Sequence, residues 1–212
     1  MLLTKELVQQ DLDALPKNYK TADVDRLIKE YVKQGADVSP LRPYILSCQQ
    51  YHRIYYYVAL EQLENVSERM AFIHENLLFS DWWHTDQIIS YVADLDFDTA
   101  YSYASRYVED ADPFIRRWGY VLFISRLCKG HAAAILPLMK DDEAYYVQMA
   151  EAWLVAELAV HEPEVVYDWF WKNTLKYNIN GKAIQKICDS FRITDQWKEE
   201  YKKLRRLLKM RK

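Results

Sequence analysis

The chain has 212 residues, half of them hydrophobic and 15% aromatic, which is ample material for a packed core and excludes a disordered tail. Its net charge of −3 conceals a split: residues 195–212 carry eight Lys/Arg against three acids, leaving 20 basic and 28 acidic side chains before them, a net of −8. That balance excludes a generic DNA-coating surface, so any nucleic-acid contact needs a local basic patch.

Only four glycines and six prolines punctuate the chain, and period-two β-branched runs are absent, which predicts helices. Leu2–Leu15 and Ala22–Lys33 come first, the second capped by Thr21 and ended by Gly35. Val38–Pro43 holds two prolines and reads as a loop. Further helices are expected near 44–63, 67–79, 82–94, 97–109, 113–128, 131–139, 143–160, 163–173, 180–190 and 194–211. Charge breaks every apolar stretch short of the ~18 residues a membrane span needs, and no basic-then-apolar signal opens the chain, so the expected compartment is the cytoplasm, without membrane contact. Cys48, Cys128 and Cys188 are widely spaced and odd in number, which suits reduced, buried thiols, and no metal site is expected.

Spacing reveals an internal repeat. Trp82-Trp83, Phe114-Ile115 and Tyr146-Val147 each open a helix with two apolar residues, and the pairs fall 32 residues apart. The second unit begins Asp112-Pro113 and the third Asp142-Glu143: an acid supplies an N-cap, and proline sits where its missing N–H costs nothing. Helix pairs of this kind bury their apolar faces by stacking. The expected fold is therefore all-α, one domain over residues 1–212, a solenoid of antiparallel helix pairs with a concave wall.

Phosphate-cradling glycine loops, HExxH, GxSxG and CxxC are missing, and no cofactor is implied. The unusual segment is Asp81-Trp82-Trp83-His84-Thr85-Asp86-Gln87-Ile88. On a helix Trp82 and Asp86 share a face, placing a carboxylate beside an indole, a pairing that suits a cation. Trp153 and Arg117 lie in the corresponding helices of the third and second repeats. His84, His74 and Cys128 have no ligand-like spacing. The basic run Lys202-Lys203-Leu204-Arg205-Arg206 reads as a solvated helix face that favours the C-terminal dipole.

From about Asp81 to Ile193 the chain resembles the HEAT-like repeat DNA alkylation repair family, the AlkD-type DNA glycosylases. The resemblance rests on Trp82-x-x-x-Asp86-x-Ile88, Phe114-Ile115-Arg116-Arg117, and Tyr146-Val147 continuing to Trp153-Leu154-Val155-Ala156-Glu157, with support from Pro163-Glu164-Val165-Val166 and Lys182-Ala183-Ile184. It implies a right-handed solenoid, Asp86 as the catalytic carboxylate, Trp82 and Trp153 as aromatic walls, and Arg117 holding the DNA backbone. In such a site a carboxylate stabilises an oxocarbenium-like sugar as a cationic alkylpurine departs, and positions the attacking water.

The departures are specific. Lys17-Asn18-Tyr19-Lys20 runs straight into Thr21-Ala22-Asp23-Val24, leaving no room for the family's basic, aromatic helix that engages the minor groove. Met149, Ala156 and Gly181 stand where the family places Lys, Arg and Arg, each a lost phosphate contact. The expectation is a family protein that keeps the Trp/Asp site, works as a monomer, and binds double-stranded DNA weakly and salt-dependently, with little or no alkylpurine excision. An active monofunctional glycosylase for cationic N3- or N7-alkylpurines and a protein-binding scaffold are the alternatives.

Overall fold

The computed structural model describes residues 1–210. These form twelve α-helices joined by short 3-10 turns, with no strand among the described residues beyond an isolated bridge between Leu2 and Asp37. No helix among them is long and apolar enough to cross a membrane. The chain divides into two compact units, residues 1–92 and 93–212.

The first unit contains α1 (Lys5–Asp13), α2 (Thr21–Lys33), α3 (Gln49–Glu61), α4 (Val66–Glu75) and α5 (Trp82–Asp86). Thr21 is the first residue of α2, not its cap; the backbone N–H of Lys20 donates to Asp23 Oδ2 at 2.7 Å. Gly35 ends this segment at φ 57°, a conformation a side chain would disfavour. The helix expected from residue 44 begins at 49, because Ser39–Tyr44, with its two prolines, winds as a 3-10 turn. α4 stops at Glu75 because Asn76 turns into the core. Its Oδ1 accepts from Arg42 Nε at 3.0 Å and from the Tyr55 hydroxyl at 2.9 Å, and its carbonyl accepts from the Tyr56 hydroxyl.

The second unit contains α6 (Phe97–Tyr107), α7 (Pro113–Val121), α8 (Ala132–Ile135), α9 (Tyr145–His161), α10 (Pro163–Lys172), α11 (Tyr177–Asp189) and α12 (Asp195–Met210). Asp112 caps α7 as expected, accepting from Phe114 N at 2.7 Å with Pro113 in the first turn. Asp142 does not sit at the cap of α9, which Ala144 occupies; its carboxylate is drawn into a two-bond pair with Arg116, at 2.6 and 3.2 Å. The helix expected over 113–128 ends at Val121 and resumes as a 3-10 turn at Arg126–Cys128. That expected over 131–139 is four residues of α8, with Pro137 in the 3-10 turn that follows. The expected 194–211 helix is α12, with Arg211 outside the described residues.

α9 is the centre of this unit. It packs against α7, α10 and α11, and buried residues such as Val147, Leu154, Val155 and Leu158 face several sides of it. Gly119 lets α7 close on the end of α6: a Cβ there would stand 2.8 Å from Cγ1 and 3.0 Å from N of Val108. α12 docks through Tyr201, Leu204 and Leu208, and the Tyr201 hydroxyl donates to the Pro163 carbonyl at 2.7 Å. All three cysteines are free thiols; Cys128 is buried as expected, whereas Cys48 and Cys188 are only partly covered.

Candidate functional site

α5 is five residues long, and its neighbours explain both ends. Asp81 Oδ1 accepts from Trp82 N at 2.7 Å, while the N–H groups of Ser80 and Asp81 both donate to Nδ1 of His84, at 3.0 and 3.1 Å. That fixes His84 as a neutral imidazole protonated on Nε2. It is buried and stacks on the equally buried His52, ring centroids 3.8 Å apart. Burial lowers His84 to about 4 and, with His84 as its neighbour, His52 to about 2. The helix ends at Asp86 because Gln87 is claimed from two directions: its amide nitrogen lies 2.6 Å from Nδ1 of His52, and its carbonyl accepts from the Tyr57 hydroxyl at 2.9 Å. The helix expected over 82–94 therefore breaks, resuming as a 3-10 turn at Ile89–Val92.

Asp86, the last residue of α5, is partly exposed, and the Thr85 hydroxyl lies 3.0 Å from its Oδ1. It lines an open cleft of about 420 Å³ with Trp83, Gln87, Arg53, Gln49 and Tyr19. Trp82 stands outside that lining at 43% exposure, so the indole sharing the cleft with Asp86 is its neighbour in sequence. Arg53 is a fixed cation there. Nε and Nη2 reach Asp25 Oδ1 at 2.8 and 2.7 Å, Nη1 donates to the Tyr57 hydroxyl at 2.9 Å, and the guanidinium lies 4.1 Å from the centre of the Tyr57 ring. Its charge is largely answered by Asp25, and Asp86 lines the same cleft while accepting from the Thr85 hydroxyl.

Arg117 and Trp153 belong to the second unit. Arg117 is 4% exposed and points inward, its Nη1 donating to the carbonyl of Tyr146 at 2.7 Å. It ties α7 to the first turn of α9, next to the Arg116–Asp142 pair. Nearby, Glu151 is fully buried; its Oε1 accepts from Lys140 N at 2.9 Å, and burial pushes its carboxyl up to about 7. Trp153 is half-buried in a cleft of about 280 Å³ with Lys186, Asp189 and Arg192, which adjoins a second cleft of about 440 Å³ at Lys182 and Arg205. Lys182 and Arg205 stand in segments already noted in the sequence, but Lys186 and Arg192 were not, although Lys182 and Lys186 are one helical turn apart, a spacing visible in the sequence.

No group of three or more potential metal ligands occurs among the described residues. No protein-family model, no curated protein and no solved structure matches the chain. The molecule is thus an all-helical protein with an open carboxylate-bearing cleft in one unit and a basic, aromatic surface in the other.

Proposed function

We propose that the chain is a DNA alkylation repair protein of the AlkD type, a right-handed solenoid of HEAT-like repeats acting as a cytoplasmic monomer without a cofactor. In this reading it keeps the Trp/Asp site, binds duplex DNA weakly and excises alkylpurines little or not at all. One observation supports it: Asp86, the carboxylate that the resemblance singles out, lines an open cleft with the indole of Trp83, the neighbour of Trp82, and with Arg53, which is paired with Asp25. A carboxylate so placed has a cationic sugar as a natural partner. Trp82 and Trp153 are the aromatic walls by resemblance. Arg117 supports the weak-grip half of the reading, since its guanidinium is engaged by a backbone carbonyl inside the protein.

The test is release of alkylpurines from methylated duplex DNA by wild type and Asp86→Asn, alongside duplex binding at rising salt. Weak, salt-sensitive binding with little release is expected. Robust release abolished by Asp86→Asn would establish a working glycosylase instead, and the absence of any duplex binding would remove DNA from the reading altogether.

A further inference from the structure

α9 carries Tyr145, Met149 and Trp153 at four-residue steps, a stripe about 12 Å long at 1.5 Å per residue. Tyr145 is 59% exposed and the other two are half-buried, so the stripe is an outer surface of a helix most of whose other residues are core. Alongside it α11 presents Lys182 and Lys186, one turn apart, and α12 adds Arg205. The two clefts on this surface share Lys186 and Asp189 and form one groove, with Met149 and Trp153 on its apolar side. Its cations are held in place: Lys182 Nζ donates to Gln148 Oε1 and stands 5.2 Å from the Tyr145 ring centre, and Arg205 Nη1 donates to Gln185 Oε1 at 2.5 Å.

We propose that this groove docks a helical segment of a partner protein that presents two apolar side chains and two carboxylates, each pair one turn apart. The apolar pair packs on Met149, whose thioether adapts to varied shapes, and on Trp153, an aromatic anchor of the kind that dominates interfaces. The carboxylates stand opposite Lys182 and Lys186, which repeat with the same helical step. The rim argues for a peptide over a nucleic acid. Asp189 lines both clefts, and Arg192 is already paired with Glu157. An unbroken row of phosphates would run past these acids, whereas a peptide places negative charge only where the cations are. The inference is independent of the role given to Asp86, but Trp153 can serve one occupant at a time, so a docked peptide would compete with DNA for it.

The probe is a fluorescein-labelled amphipathic peptide about four turns long, carrying two leucines and two glutamates in i, i+4 pairs. Its controls are the same peptide with lysines for the glutamates, and single-stranded oligothymidylate. Anisotropy should show the acidic peptide binding about tenfold more tightly than its lysine counterpart. Lys182→Glu/Lys186→Glu should reverse that preference, and Trp153→Ala should weaken both by about tenfold. Both lysines are partly exposed, and Lys186→Glu alone, which spares the bond from Lys182 to the buried Gln148 and should lower the preference for the acidic peptide, keeps the test valid where the other variants fail to fold. Equal binding of the two peptides, a preference unchanged by the lysine double variant, or binding of oligothymidylate in place of the acidic peptide would overturn the proposal. Asp86→Asn, which tests the repair reading, should leave peptide binding unchanged.

Discussion

His52 and His84 stack with ring centroids 3.8 Å apart, and each is held neutral in the core. Unfolded, both would titrate near 6.5; folded, they resist protonation until about 2 and about 4. Their contribution to stability is complete above about 6.5 and is lost as pH falls from there, towards about 4 for His84 and on towards about 2 for His52. Glu151 runs the other way. Its folded value of about 7 lies above the usual 4.5, so its contribution is complete below 4.5 and is lost as pH rises towards about 7. That loss is worth about 3 kcal/mol at about 1.4 kcal/mol per pH unit. Hydrogen-exchange protection factors should therefore rise with pH in α3 and fall with pH in α9 between about 4.5 and 6.5. Glu151→Gln should flatten the second trend only; parallel trends in both helices would contradict the assignment.

Gly119→Ala should destabilise the protein by about 1–3 kcal/mol, because the new methyl group meets Val108 Cγ1 and backbone N. Adding Val108→Ala removes the closer of those atoms and should recover part of the loss in urea denaturation. A neutral Gly119→Ala would mean that α6 and α7 separate more freely than their packing suggests.

Arg117→Ala should cost about 1–3 kcal/mol, since the Tyr146 carbonyl loses a charged donor inside the protein. Its effect on duplex affinity should be small once measured on folded protein. An unchanged denaturation midpoint with strongly reduced DNA binding would give Arg117 the backbone-holding role that the family resemblance implies.

Asp86→Asn should cost no more than about 1 kcal/mol, because asparagine keeps the side chain's shape and an oxygen that can accept from the Thr85 hydroxyl. Thermal denaturation checks this, and it makes the variant a clean probe of chemistry. A large loss of stability would show Asp86 holding α5 in place.

The helix starts that were legible in the sequence are those with local chemistry: Asp112-Pro113 ahead of α7, and Pro163 opening α10. The breaks that were missed come from distant partners. Nothing near Gln87 in sequence announces that His52 and Tyr57 will claim its two ends, and nothing near Asn76 announces Arg42 and Tyr55. The candidate site divides in the same way. That Asp86 would lie beside an indole was legible in Asp81–Ile88, but α5 is too short and too tightly held for spacing to tell which indole shares its cleft. Arg117 was picked out by motif position, and its inward direction depends on α9, 29 residues further along.

Tyr201 reaches across to the Pro163 carbonyl while Leu204 and Leu208 sit in the core, which changes what the basic end of the chain is. It is a structural strut with charges on its outer side, and one cannot be taken away without the other. Cutting the chain before Asp195 would strip the cover from α11 and leave a partly unfolded protein whose loss of binding says nothing about charge. Reversing Lys203 and Arg206, both exposed, alters the electrostatics and leaves the strut standing.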